Sequence, residues 1–223
     1  MLEKVKKFLL YYGNDRISVE LVTPKIRQTN RITVAIITFT GAILILGMFI
    51  STFFVEGVQS NRVVYAIGTV MSLSISLIAL LYAKNHPTIV MPLVYISYFI
   101  FYMYGILIGT ITDPGQKTVT FVVMLVLLPI LFIDRPLNVI FTTSVYEFIF
   151  IYLCLENKTG AVLQNDIIDA IVFGILGLIS SAMANQTKIH GYILEHKLQE
   201  VSQFDRLTQM NNRNAYELCL EDI

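Results

Sequence analysis

The sequence predicts an all-α, polytopic integral membrane protein with six transmembrane helices, the sixth continuing as a long cytoplasmic extension. Three observations carry that reading. Of the 223 residues 55% are hydrophobic and only 14% charged, with a mean hydropathy of +0.67, against about 25% charged residues in an ordinary soluble domain. Several apolar runs approach the roughly 20 residues that an α-helix needs to cross about 30 Å of hydrocarbon. The breaks between those runs are short and rich in turn-forming residues.

Residues 1–32 scatter Lys4, Lys6, Lys7, Arg16, Lys25, Arg27 and Arg31 among Val, Phe, Leu and Tyr. This pattern predicts either an interfacial segment lying on an anionic cytoplasmic leaflet, in short helices broken at Gly13 and Pro24, or a solvated arm. The apolar cluster Phe8 to Tyr12 is too short for the core of a signal peptide, so the N-terminus is expected to be retained. A transmembrane domain follows over 33–187. Its first span runs from Thr33 to Val55 and its second from Val63 to Ala83, a helical hairpin around the turn Glu56 to Arg62. After Lys84-Asn85-His86-Pro87 the third span covers Thr88 to Gly109. Asp113-Pro114-Gly115 then turns the chain into a short fourth span, Thr118 to Ile133. Asp134-Arg135-Pro136 punctuates sharply, the fifth span reaches Leu155, and a loop from Glu156 to Asp166 leads to the sixth, Ile167 to Thr187.

Charge sets the orientation. The 16 Lys and Arg balance the 16 Asp and Glu, so nothing in the bulk charge points to a nucleic-acid partner. Their distribution is uneven. If both termini are cytoplasmic, the outer turns hold only Arg62, Lys117 and Lys158, and the other thirteen cations lie inside, as the positive-inside rule requires of a bacterial inner (cytoplasmic) membrane protein. Cys154 and Cys219 then fall on opposite sides of the membrane, which excludes a disulfide between them within one chain.

Residues 188–204 contain no proline, and only Gly191 weakens a helix there. The sixth span is therefore expected to run on as a signalling helix. A heptad seam crosses the join through Ala170, Phe173, Gly177, Ser180, Ala184, Thr187, Gly191, Leu194, Leu198 and Val201. Small residues in lipid and apolar residues in water would suit a parallel homodimer, or the small residues could pack within a single bundle.

The tail reads Phe204-Asp205-Arg206-Leu207-Thr208-Gln209-Met210-Asn211-Asn212-Arg213-Asn214-Ala215-Tyr216-Glu217. Over 205–223 it resembles the opening of the GGDEF domain of bacterial diguanylate cyclases, whose first motif is Asp-x-Leu-Thr-Gly-Leu-x-Asn-Arg. Asp205, Leu207, Thr208, Asn212 and Arg213 match, whereas Gln209 and Met210 replace the family's Gly and Leu. The resemblance implies an input module for cyclic di-GMP signalling, cut just after its catalytic domain begins. It implies guanine recognition by Asn212 and a domain junction built by Asp205, Leu207, Thr208 and Arg213. The family's metal-binding carboxylates and its Gly-Gly-[Asp/Glu]-Glu-Phe turn do not occur in these 223 residues. The chain as given is therefore expected not to be an enzyme and to hold no cofactor or metal of its own, magnesium and GTP belonging to the missing domain.

Within the bilayer, Glu147 lies near the middle of the fifth span, where a carboxyl is costly and is by default a candidate ligand or polar site. Interhelical hydrogen bonding to a Tyr or Ser would be its structural use. Tyr95, Tyr98 and Tyr102 share one face of the third span and are expected at similar depth, as partners, pocket walls or aromatic packing. His86, His190 and His196 show no metal-binding spacing. The expectation is thus a receptor module responding to an unknown small molecule or to the membrane itself. A six-helix transporter or channel is the alternative, with Pro92 and Pro129 as kink sites.

The charge asymmetry predicts the result of cysteine labelling in intact cells. A cysteine at Asp113 should react with an impermeant reagent and one at Lys197 should be protected. The reverse pattern would end the orientation.

Overall fold

The computed structural model describes residues 2–203, and no strand occurs among them. Seven α-helices follow one another: α1 (Leu2–Tyr11), α2 (Arg16–Ser51), α3 (Arg62–Leu77), α4 (Val90–Ile106), α5 (Val119–Leu131), α6 (Pro136–Asn157) and α7 (Gly160–Gln203). Single π-helical turns, Ile78–Tyr82 and Leu107–Thr112, prolong α3 and α4. Short 3-10 turns, Glu56–Asn61 and Pro87–Ile89, precede the same two helices.

Five stretches are long and apolar enough to cross a membrane: Glu3–Ser51, Glu56–Tyr82, Pro87–Thr112, Pro136–Asn157 and Gly160–Glu200. The expected fourth span is the exception. Its helix, α5, has 13 residues and rises only about 20 Å. The chain leaves the helix at Phe132, which is extended at φ −97° and ψ 136°; Pro136 could not continue a helix through Phe132, since its ring would meet the Phe132 carbonyl, and Arg135 before it is extended too. Large apolar side chains cover the outside of the bundle, Phe54, Leu81, Phe141 and Phe148 each being more than 69% exposed. An apolar exterior on that scale belongs in lipid.

The rods from α2 to α7 alternate between two ends. At one end the start of α2 meets the far part of α7, where Lys25 pairs with Glu195 and the Thr29 and Tyr192 hydroxyls lie 2.9 Å apart. The α3–α4 turn and the α5–α6 connector lie at this end too. At the other end Asn61 donates to Asp113 at 3.0 Å, and the start of α5 meets the α6–α7 turn. The first end carries Arg16, Lys25, Arg27, Arg31, Lys84, Arg135, Lys188 and Lys197. The second carries Arg62, Lys117 and Lys158.

Two boundaries differ from the sequence expectation. Pro24 does not break the N-terminal segment, since α2 runs unbroken through it for 36 residues. A proline costs the helix one hydrogen bond, and packing of Val22 and Asn30 on either side holds the segment helical. The break lies instead at Tyr12 and Gly13, both at positive φ. The expected loop from Glu156 to Asp166 shrinks to Lys158 and Thr159, because α7 already starts at Gly160. Lys158 is therefore no solvated loop cation. It is fully buried, pairs with the buried Asp166, and donates to Thr118 Oγ1 at 2.9 Å and to the Gln116 carbonyl at 2.7 Å. Asp166 also accepts the Thr118 backbone N–H and hydroxyl.

The heptad seam divides between two faces of α7. Ala170 is buried in the bundle, and Gly177 packs so closely on the backbone of α5 at Leu125 and Val126 that no side chain would fit. Phe173, Leu194 and Leu198 point outward, and nothing approaches Gly191. The side chain of Val201 lies outside the described residues. Small residues at this helix interface let backbones approach within one protomer, so Gly177 is not available to a second copy.

The buried ion pair should dominate stability at its end of the bundle. Lys158→Met leaves Asp166 charged and unpaired in the interior and should cost about 3–5 kcal/mol in thermal unfolding in detergent micelles. The double variant K158M/D166L should recover part of that loss. A double variant as unstable as the single one, or more so, would assign the effect to lost packing.

Candidate functional site

The contact between the end of α5 and the later part of α7 is built around a stretch of backbone that has left its helix. Where α5 ends, the last carbonyls have no intrahelical donors, and buried carbonyls must find other partners. Side chains from three helices and the turn between α1 and α2 supply them. Tyr98 of α4 adds a second donor, at 3.3 Å, to the Leu128 carbonyl, which already accepts the Phe132 N–H. Ser181 and Asn185 of α7 donate to Pro129 at 2.8 and 3.3 Å, and Lys188 donates to Ile130 at 2.7 Å. Asn185 reaches Phe132 as well, at 3.0 Å. Asn30 of α2 makes a paired contact with Ile133, donating to its carbonyl at 2.7 Å and accepting its N–H at 2.9 Å. Tyr12, at the turn between α1 and α2, closes the set by donating to Asp134 at 2.8 Å.

Asn30, Ser181 and Asn185 are at most 1% exposed. An amide suits Asn30 because it presents one donor and one acceptor together, matching a peptide group. Pro129 adds to the demand. Lacking an N–H, it leaves the Leu125 carbonyl without its helical donor, and that is the carbonyl against which Gly177 lies.

Beside the connector is a cavity of about 290 Å³ bordered by Tyr11, Glu20, Arg27, Tyr95, Asp134 and Asn138. The Tyr95 hydroxyl donates to Asp134 Oδ2, and Asn138 donates to Asp134 Oδ1 at 3.0 Å and to the Tyr95 oxygen at 3.2 Å. Hydroxyl, amide, carboxylate and guanidinium thus converge on one concavity, a combination able to hold a small polar molecule by hydrogen bonds.

The four intramembrane candidates do not form one site. Tyr95 belongs to this cavity at the end of the bundle. Tyr98 is fully inside, serving the α5 backbone and stacking on Tyr102 at 5.6 Å. Tyr102 lies deeper, 4.9 Å from the ring of Tyr146, and its hydroxyl is buried beside that of Thr143. Glu147, one turn beyond Thr143, faces α7, with its carboxyl in the space that a side chain on Gly174 would occupy. The expected hydrogen bond from Glu147 to a Tyr or Ser is not formed among the described residues. Asp205, Leu207, Thr208, Asn212 and Arg213 lie outside the described residues, as does Cys219.

Sequence reading missed Asn30, Ser181, Asn185 and Lys188 as a set. No local pattern marks them, because their shared target is a backbone whose position only the packing reveals. No group of three or more His, Cys, Asp or Glu able to hold a metal gathers among the described residues. No protein-family model matches this chain, and no curated protein or solved structure matches it.

Asn30→Leu removes both partners of Ile133. Each buried group left unpaired costs about 1–3 kcal/mol, so a destabilisation of roughly 2–6 kcal/mol is expected by thermal unfolding in detergent. Hydrogen exchange in nanodiscs gives the local reading: the Ile133 amide should be protected in the wild type and exchange early in the variant. Unchanged protection would show that Asn30 does not hold the connector.

Proposed function

We propose that this chain is a membrane input module that regulates a cytoplasmic GGDEF domain through α7. The observation that carries the reading is the continuity of α7, a single 44-residue helix that is clamped to the α5–α6 connector before it leaves the bundle. A shift of the connector carries Ser181, Asn185 and Lys188 with it, and a continuous helix delivers that shift to whatever follows residue 203. The tail motif from Asp205 to Arg213 names the following domain by resemblance. Asn212 would contribute to guanine recognition there, and magnesium and GTP would be bound by the rest of that domain.

The polar cavity at Tyr95, Asp134 and Asn138 is the place for a stimulus to act, because Asp134 is itself part of the connector. In this reading all six rods cross the bilayer. The extended residues 132–135 add about 10–13 Å to the roughly 20 Å of α5, which together match the hydrocarbon thickness. Both termini then lie in the cytoplasm with most of the cations. The rings of Tyr98, Tyr102, Phe121, Phe132 and Phe150 fill the centre in stacked and edge-to-face contacts, an arrangement better suited to transmitting displacement than to passing a solute. Leu194 and Leu198, exposed on α7, would form the soluble part of a homodimer contact.

Reading the coding sequence past Ile223 tests the proposal first, with an in-frame Gly-Gly-[Asp/Glu]-Glu-Phe segment expected. The encoded protein, reconstituted in vesicles, should make cyclic di-GMP from GTP and magnesium. Asn185→Leu should change that rate several-fold, by roughly the effect of one or two hydrogen bonds on a two-state equilibrium. Absence of the segment, or turnover indifferent to Asn185, would overturn it.

A further inference from the structure

We infer that Arg27, Arg31 and Lys84 form a binding site for the phosphate of an anionic lipid headgroup. The three cations border a cavity of about 420 Å³ between α2 and the α3–α4 turn, together with Thr23, Gln28 and Pro87. No acidic side chain lines it.

What sets these three cations apart is that they border one acid-free concavity together. Lys7, Arg16, Lys25 and Lys158 each pair with a carboxylate, on Asp15, Glu20, Glu195 and Asp166 respectively. Arg27, Arg31 and Lys84 have no ion-pair or hydrogen-bond partner among the described residues. Arg27 also borders the Tyr95 cavity but lies beyond ion-pair distance of Asp134 and Glu20. Arg27 and Arg31 stand one helical turn apart, where like charges repel, and both are half-buried. Lys84 adds a third positive charge across the concavity. An anion seated between them removes the repulsion.

The donor geometry narrows the anion. Two guanidinium forks present planar pairs of N–H groups, which match phosphate oxygens, and an ammonium supplies a point charge beside them. A lipid as the source fits the surroundings. Leu80, Leu81 and Tyr82, immediately before Lys84, are each more than half exposed and offer apolar surface for acyl chains next to the headgroup. Basic pockets between membrane helices at the cytoplasmic face commonly hold such headgroups. The site does not depend on a cyclase domain following the chain.

The test uses the purified full chain with phosphatidylglycerol as probe. In phosphatidylcholine nanodiscs, added phosphatidylglycerol should raise the thermal unfolding midpoint. Native mass spectrometry from mixed micelles should find it retained. Arg27→Gln/Arg31→Gln should weaken retention roughly 25-fold, at about fivefold per cation, whereas Lys4→Gln/Lys6→Gln, the same charge change at exposed positions of α1, should leave it unchanged. Should the double arginine variant not fold, Lys84→Gln in the exposed turn should weaken retention about fivefold. Glycerol phosphate added to lipid-free micelles separates the sources. Stabilisation by it equal to that by the lipid would keep the phosphate site and make a soluble ester its ligand. Equal losses in the arginine and lysine double variants, or no response to either phosphate, would overturn the site.

Discussion

The unpaired carbonyls at the end of α5 are the constraint from which the rest of the molecule can be understood. Non-helical backbone is tolerated at membrane depth only where protein encloses it and satisfies its polar groups. From Pro129 to Asp134, five carbonyls are taken by side chains. At about 1–3 kcal/mol for each group left unpaired, the set is comparable with the entire net stability of an ordinary domain, about 5–15 kcal/mol. The donors are therefore fixed in place by necessity. They come from the α1–α2 turn, α2 and α7, so satisfying one short connector brings these elements together.

That requirement also explains which contacts matter at the two ends. The Lys158–Asp166 pair closes the far end by holding the α6–α7 turn against Thr118, and its burial makes each partner indispensable to the other. At the connector end, Lys25 with Glu195 is a half-exposed pair and adds little by itself. The strength there lies in hydrogen bonds to backbone at Asn30 and Asn185.

The helical class, the first hairpin and the abrupt stop before Pro136 could be read from hydropathy and from Asp134-Arg135-Pro136, because both signals are local. Pro24 misled for the same reason: a local rule predicts a break, and packing by Val22 and Asn30 overrides it. Lys158 was counted as a loop charge because its partner Asp166 is identified by folding rather than by spacing. Tyr95 and Glu147 were assigned similar depths from their positions along their helices. Tyr95 instead turns to Asp134 at the end of the bundle, and which neighbour a side chain meets is a tertiary fact. The seam along α7 was a periodicity without a direction. Its small member Gly177 turned out to face α5, while Leu194 and Leu198 face outward.

The same contacts determine which parts can move against each other. Helices α5 and α7 are tied at one end through Thr118, Asp166 and Lys158, in the middle by the close approach of Gly177 to Leu125, and at the other end through Ser181 and Asn185. Three fixed points along two rods leave no relative sliding without breaking buried polar contacts, so α5 and α7 act as one body. On the other flank, Gly105 admits the backbone of α5 at Phe121 so closely that an added Cβ would lie 2.9 Å from it. The α2 boundary is different, since its links to α7 at Thr29 and Lys25 are single side-chain contacts. Asn30 is the buried contact that crosses from α2 to the connector. A displacement of α2 therefore reaches α7 by two routes, directly through Thr29, Lys25 and the packing of Val22 and Ile26 on Ile189 and Ile193, and through the connector by way of Asn30 and Ile133.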